Sequence, residues 1–132
     1  MRSFLLVLTI FMILLNTIGA FYGGLSLMTD PTGEKLSIPL DFLQKTPFSN
    51  YFWPGLILFS VNGLFGLITL AALAFHHPWS ARLVLFQGLL LGGWITIQVI
   101  LLQIFYVPLH LPFLLMGVML VLIAWLKPEA VS

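Results

Sequence analysis

The chain has 132 residues, of which 61% are hydrophobic and 7% are charged, whereas soluble proteins average about 25% charged residues. This composition excludes a soluble globular protein and predicts an integral membrane protein. The net charge of +1, the absence of basic clusters and the absence of cysteine argue against nucleic-acid binding and exclude disulfides and thiolate chemistry.

Four apolar segments are each long enough to cross a hydrocarbon core, which takes about 20 helical residues. They predict an all-α, four-helix transmembrane bundle that forms a single membrane domain, 1–132. The predicted spans cover residues 3–28, 51–75, 82–105 and 110–126, and the outer loop covers 29–50. A signal peptide cleaved after Ala20 is the alternative interpretation of the first segment, but the apolar run continues beyond that point.

The outer loop contains three prolines that oppose a continuous helix, Pro31, Pro39 and Pro47. Between the last two, residues 39–45 have the pattern of a short amphipathic helix. Its apolar side chains are expected to lie on the membrane and its polar ones to face water. The loop is therefore predicted to form a structured cap on one membrane face.

Three carboxylates of this loop, Asp30, Glu34 and Asp41, form a candidate outer-loop site. Two lysines lie among them. A solvated loop is the favoured interpretation, and an outward-facing cation site is the alternative. Elsewhere no metal site is expected, because the adjacent side chains of His76 and His77 do not share a helix face and have no carboxylate or cysteine partner.

Polar side chains inside the first three spans need hydrogen-bond partners that hydrocarbon does not provide. Asn16 and Asn62 are expected at similar depth in antiparallel helices, which predicts a direct or water-mediated hydrogen bond between them. Gln87, Trp94 and Gln98 share one face of the third span. The favoured interpretation is that all five side chains form hydrogen bonds within the bundle. The alternative is that they line a polar cavity. In the third span, such a cavity would hold a lipid head group, an isoprenoid or another small amphiphile.

Pairs of glycines at four-residue spacing predict close helix packing, namely Gly19 with Gly23 and Gly88 with Gly92. The fourth span has only Gly117, which predicts that this helix is outermost or contacts a partner. The predicted inward faces are Thr9, Met12, Asn16, Gly19, Ala20 and Gly23 in the first span and Gly55, Asn62, Gly66 and Thr69 in the second.

Basic residues predict the orientation of the bundle. An even number of spans places both termini on one side, with Arg2, Arg82 and Lys127, whereas the outer loop has only two lysines. Cytoplasmic termini are therefore predicted. No acidic or basic residue lies within a predicted span apart from the boundary residue Arg82, which argues against proton relays and ion-coupled pumping. The histidines lie at opposite faces, so neither haem nor another cofactor is expected.

Residues 27–63 resemble the first loop and second span of a family of small, uncharacterised four-span proteins of the bacterial inner membrane. The shared elements are DPTG at 30–33, PL at 39–40, TPF at 46–48, PG at 54–55 and NG at 62–63. The resemblance implies four spans and a bacterial inner membrane, but no activity. The chain is also similar to DoxX-like membrane proteins in span number and glycine-rich helices, a likeness that says little about function.

These features predict a non-enzymatic membrane protein that binds a lipid-like molecule or acts as an accessory subunit of a membrane partner. Its expected partners are membrane lipids and either another membrane protein or further copies of itself, but not nucleic acid. An oligomeric small-molecule transporter is the alternative, with the amides of Asn16, Asn62, Gln87 and Gln98 around a shared path. A membrane enzyme with the outer-loop site is the third hypothesis.

Overall fold

The structure is a computed structural model that describes residues 2–44, 46–102 and 105–132, and it confirms the all-α prediction. Within these ranges, four helical segments are long and apolar enough to cross a membrane, so the chain is a multi-pass membrane protein. The elements are α1 (Arg2–Thr29), 3₁₀ turns at Glu34–Leu36 and Leu40–Leu43, α2 (Phe52–Ile57), a π-helical segment (Leu58–Leu64), α3 (Phe65–Ala74), α4 (Ser80–Leu102), α5 (Val107–Leu126) and a final 3₁₀ turn (Pro128–Val131).

The second span thus consists of α2, the π-helical segment and α3 without a break. Two helix starts differ from the prediction. The fourth span begins at Val107 rather than at 110, because Pro108 occupies a first-turn position where its missing N–H costs nothing. The third begins at Ser80 rather than at 82, and the buried Ser80 hydroxyl donates to the carbonyl oxygens of Ala72 and His77.

We call the end of the bundle that carries both termini the terminal face, and the end that carries residues 30–51 the loop face. At the terminal face, the core contains Met12, Leu73, Val84 and Leu120. The final 3₁₀ turn folds back onto this core, and its Val131 side chain is fully buried. Leu120 of α5 is also fully buried in this core. The expectation that α5 is outermost or contacts a partner stays a prediction.

At the loop face, a cap forms from residues 30–44 and 46–51, as predicted. Leu43 and Tyr51 pack on Leu27 of α1. The Tyr51 hydroxyl donates to the carbonyl oxygen of Pro39, and its backbone N–H donates to that of Pro31 at 2.9 Å. Burial raises the pKa of this hydroxyl above its ordinary value, so Tyr51 stays a neutral donor.

The predicted amphipathic segment at 39–45 is shorter than expected. Its helical part is the 3₁₀ turn Leu40–Leu43, which Pro39 precedes in an extended conformation, and residue 45 lies outside the described residues. Leu43 points into the cap, whereas Leu40 and Phe42 are exposed. The cap therefore offers two apolar side chains to the membrane surface instead of a full amphipathic face.

The first and second spans pack closely through glycines. A Cβ atom on Gly24 would lie 2.7 Å from the carbonyl oxygen of Gly55, and one on Gly55 would lie 2.9 Å from that of Gly24. The small-residue edge predicted at Gly19 and Gly23 is wrong for Gly19, whereas a Cβ atom on Gly23 would lie 3.4 Å from Leu58 Cδ2. A Cβ on Gly19 meets nothing within 4 Å, because the buried stripe passes through Thr17, Ala20 and Gly24 instead.

The predicted inward face of the second span is confirmed, since Gly55, Asn62, Gly66 and Thr69 are all buried. On α1 the prediction holds for Thr9, Met12, Asn16 and Ala20. A second close contact joins α4 to α5, where a Cβ on Gly88 would lie 2.8 Å from the carbonyl oxygen of Gly117. Two glycine contacts therefore hold neighbouring helices close together.

Replacing Gly24 with alanine should destabilise the protein by about 1–3 kcal/mol, because the added methyl group would overlap the backbone of the second span. Gly19→Ala is the matched control on the same helix, and its methyl group enters open space. The free energy of unfolding, measured by denaturant titration in mixed micelles, would distinguish them. Equal stability of the two variants would contradict the packing described here.

Candidate functional site

Three buried amides from three helices meet inside the bundle. The Asn16 Nδ2 group of α1 donates to Asn62 Oδ1 at 3.4 Å, and the Gln87 Nε2 group of α4 donates to the same oxygen at 3.4 Å. The exposed fractions of Asn16, Asn62 and Gln87 are 3%, 0% and 0%. The predicted direct hydrogen bond between Asn16 and Asn62 is therefore confirmed, and Gln87 joins it.

Asn62 reaches this position from the π-helical segment Leu58–Leu64. Its wider turn closes with a bond from the Phe65 N–H to the Ser60 carbonyl oxygen, five residues back. The next residue, Gly63, lies against the ring of Phe21, where a Cβ atom would come within 2.9 Å. Wide turns of this kind occur mostly as single insertions and often at functional sites.

The amide cluster leaves several buried polar atoms unpaired. Asn62 Nδ2, Gln87 Oε1 and Thr17 Oγ1 have no hydrogen-bond partner among the described residues. Gly66 lies beside these atoms. A Cβ atom on Gly66 would collide with Thr17 Oγ1 and would lie 3.5 Å from Gln87 Oε1. Thr17 was not among the predicted site residues, because adjacent residues such as Asn16 and Thr17 do not share a helix face and no other sequence signal pointed to it.

The other two predicted members of this group, Trp94 and Gln98, do not join the cluster. Both are half-buried, and neither side chain hydrogen-bonds to another described residue. They lie nearer the loop face, two and three turns beyond Gln87. A shared face of α4 therefore does not produce one shared site, because only Gln87 lies level with Asn62.

The outer-loop carboxylates serve the local structure of the cap. Asp30 accepts from the Thr32 hydroxyl at 2.6 Å and from the Lys35 N–H at 3.0 Å. The Thr32 bond is the main cause that holds the pKa of Asp30 below its usual 3.8. Glu34 and Asp41 are exposed. Among the described residues no three acidic or histidine side chains come together as a metal site, so this trio does not assemble into the alternative cation site.

Two histidine rings likewise accept hydrogen bonds from nearby backbone N–H groups. His77 Nδ1 accepts from the Trp79 N–H at 3.1 Å, and His110 Nδ1 accepts from the Tyr106 N–H at 2.9 Å. The buried His110 ring also stacks on Phe105, with ring centroids 5.9 Å apart. These bonds fix two helix ends and leave no histidine pair in position to hold a metal within the described chain.

An apolar groove runs along the outer surface of the bundle between α4 and α5. It consists of two adjoining hollows of about 320 and 220 Å³, which share Thr96 and Leu114. Gly92 and Gly93 form part of its wall, and a Cβ atom on either would meet nothing within 4 Å. The remaining lining residues are Gly88, Leu89, Gly117, Val118, Val121 and Leu122 in the larger hollow and Ile95, Val99, Ile100 and Phe105 in the smaller.

Among the described residues, the groove presents hydrocarbon and no free polar side chain. Its one hydroxyl, that of Thr96, donates to the Gly92 carbonyl oxygen at 2.7 Å. The predicted packing edge of Gly88 and Gly92 is confirmed, because a Cβ atom on Gly117 would lie 3.0 Å from the Gly88 carbonyl oxygen and 2.9 Å from the Gly92 nitrogen. The Cβ direction of Gly92 is open and faces the groove. The sequence signal for the groove was the adjacent glycine at 93, because two neighbouring glycines leave two directions around the helix without a side chain.

No family model matches the chain, and no curated protein or solved structure matches it. The resemblance of residues 27–63 to small four-span proteins of the bacterial inner membrane, and the similarity to DoxX-like proteins, therefore stay predictions. The candidate sites rest on this chain's own geometry, namely the buried amide cluster and the groove between α4 and α5.

Replacing Asn62 with leucine should destabilise the bundle by about 1–3 kcal/mol, because both Asn16 and Gln87 lose their acceptor inside the membrane. Gln98→Leu is the matched control, an amide removed from α4 outside the cluster. Unfolding titrations in mixed micelles measure both. If Asn62→Leu costs no more than Gln98→Leu, the cluster does not hold the three helices together.

Proposed function

We propose that this protein is a non-enzymatic membrane protein that binds the hydrocarbon chain of a lipid-like molecule in the groove between α4 and α5. The observation that carries the proposal is the groove itself, an open apolar channel walled by two adjacent glycines. The two hollows together fall within the range of about 300–1,000 Å³ typical of ligand pockets.

The length of the groove favours a single chain of one membrane leaflet. On α4 it extends from Gly88 to Ile100, which at 1.5 Å per residue is about 18 Å. Half of a hydrocarbon core of about 30 Å is close to this length. On α4 the groove ends at Gly88, well short of Ser80, so on this helix its length matches one leaflet, whereas on α5 it reaches Leu122.

This length also distinguishes a lipid chain from a transmembrane helix of a partner. A helix crossing the whole bilayer would be expected to contact α4 over most of its length. On α4, however, no described residue on the terminal side of Gly88 lines the groove. A flexible chain entering from the loop-face leaflet fills such a half-length groove without leaving part of itself unpacked.

The chemistry of the groove supports a hydrocarbon ligand. Because the Thr96 hydroxyl is bonded to its own helix, the described residues of the wall offer no unpaired donor that a polar ligand would need. The amide cluster, in contrast, is fully enclosed, which supports its role in holding helices together over the alternative of a transport path. Flexible chains such as acyl and isoprenyl groups are the ligand class that fits.

We further propose a bacterial inner-membrane location with the termini in the cytoplasm. The excess of basic residues on the terminal face supports this orientation, with Arg82 and Lys127 there against Glu129. The proposed groove then opens to the outer leaflet. The cap, with Leu40 and Phe42 exposed, would rest on the outer surface.

Replacing Gly92 or Gly93 with leucine should remove a bound lipid-like molecule, because each new side chain projects into the groove without meeting another atom at its Cβ. Native mass spectrometry of protein released in mild detergent would show loss of the retained mass, with an expected decrease in occupancy of about tenfold or more. Gly19→Leu is the control, an equal change in open space on α1.

Equal retention by the groove variants and the control would place the ligand elsewhere and contradict the proposal. A ligand-free dimer that Gly93→Leu dissociates would also contradict it, because a second copy would then occupy the groove. Gly88→Leu is not a suitable probe, since any side chain there collides with α5 and disturbs the fold.

The orientation is testable because the chain has no cysteine. Ser49→Cys in the cap and Ser132→Cys at the terminal face are both at exposed positions. With a membrane-impermeant maleimide on intact cells, the cysteine at 49 should react at once and the cysteine at 132 only after lysis. The reverse pattern would overturn the proposed orientation.

A further inference from the structure

We infer that Thr17, Asn62 and Gln87 hold one internal water molecule at the centre of the bundle. The inference is independent of the groove and rests on the unpaired atoms of the amide cluster. Each of the three side chains is at least nine-tenths buried, and each contributes one polar atom without a partner among the described residues.

The three atoms belong to one small region. A single point, the Cβ position of Gly66, lies in contact with Thr17 Oγ1 and 3.5 Å from Gln87 Oε1. Asn62 is one turn before Gly66 on the same buried face, and its Oδ1 already accepts from the Gln87 amide. The absence of a side chain at Gly66 brings these groups together from three helices.

The hydrogen-bonding groups match a water molecule. Water would accept from Asn62 Nδ2, donate to Gln87 Oε1 and exchange its third bond with the Thr17 hydroxyl, which serves as donor or acceptor. Three bonds is the usual number for a buried water. The oxygen and nitrogen of a side-chain amide can be assigned either way round. If they are exchanged in Asn16, Asn62 and Gln87, the three side chains still bond to one another. The unpaired atoms are then the Asn62 oxygen and the Gln87 nitrogen, again one acceptor and one donor, so water fits either assignment.

Other occupants fit these groups less well. A cation would give up its hydration for neutral oxygens, because the cluster contains no carboxylate to offset the charge. A larger polar molecule would need an opening, whereas Asn62 and Gln87 have no exposed surface. A single water would satisfy all three unpaired atoms.

The direct test is water-edited solid-state NMR of the protein in lipid bilayers, with asparagine and glutamine labelled at the side-chain nitrogen. Magnetisation should pass from water to the side-chain amide of Asn62, or to that of Gln87 if the amides are reversed, about as fast as to the half-buried Asn50 of the cap. No transfer to either buried amide would overturn the inference.

Two threonine variants give a second test, because Thr9 also carries a fully buried, unpaired hydroxyl but lies about 12 Å along α1 from Thr17. Thr9→Val should leave the melting temperature unchanged or higher. Thr17→Val should lower it by roughly 4 °C and abolish the water signal, and Thr17→Ser should retain both. If Thr17→Val behaves as Thr9→Val does and keeps the signal, Thr17 holds no water.

Discussion

The bundle depends on the fact that hydrocarbon offers no hydrogen-bond partner, so polar groups within it must satisfy one another. Asn16, Asn62 and Gln87 come from three separate helices, and none has a partner on its own helix. Their meeting at one oxygen, Asn62 Oδ1, therefore sets the relative depth and rotation of the first three spans. An axial slip of one helix past another would leave at least one amide unpaired in the membrane interior.

Glycine contacts allow this cluster to form, because they permit helices to approach until short amides reach one another. The Gly24–Gly55 contact holds the first two spans together toward the loop face, and Gly66 allows Thr17 to approach below it. The Gly88–Gly117 contact does the same for α4 and α5. The terminal-face core and the cap then close the two ends with ordinary apolar packing.

Much of this arrangement was predictable from sequence, because span length and polar spacing are local properties. The inward stripe of the second span and the Asn16–Asn62 bond follow from helical periodicity and equal depth. The exact packing edge of α1 did not follow, because Gly23 and Gly24 lie on adjoining sectors of one helix and only the partner's backbone selects between them. The π-helical segment also has no reliable sequence signal. The groove depends on how α4 and α5 pack against each other, which the sequence of neither helix determines alone.

The two candidate sites share helix α4 but lie on different sides of it. Gln87 faces the amide cluster, and the next residue, Gly88, faces α5. The position of α4 is therefore fixed from both directions by contacts that do not involve a ligand. A groove wall held in this way is already formed before binding, so a hydrocarbon chain would enter it with little rearrangement of the protein. Affinity for such a chain then depends mainly on the apolar surface buried, offset by the conformational freedom that a flexible chain loses on binding.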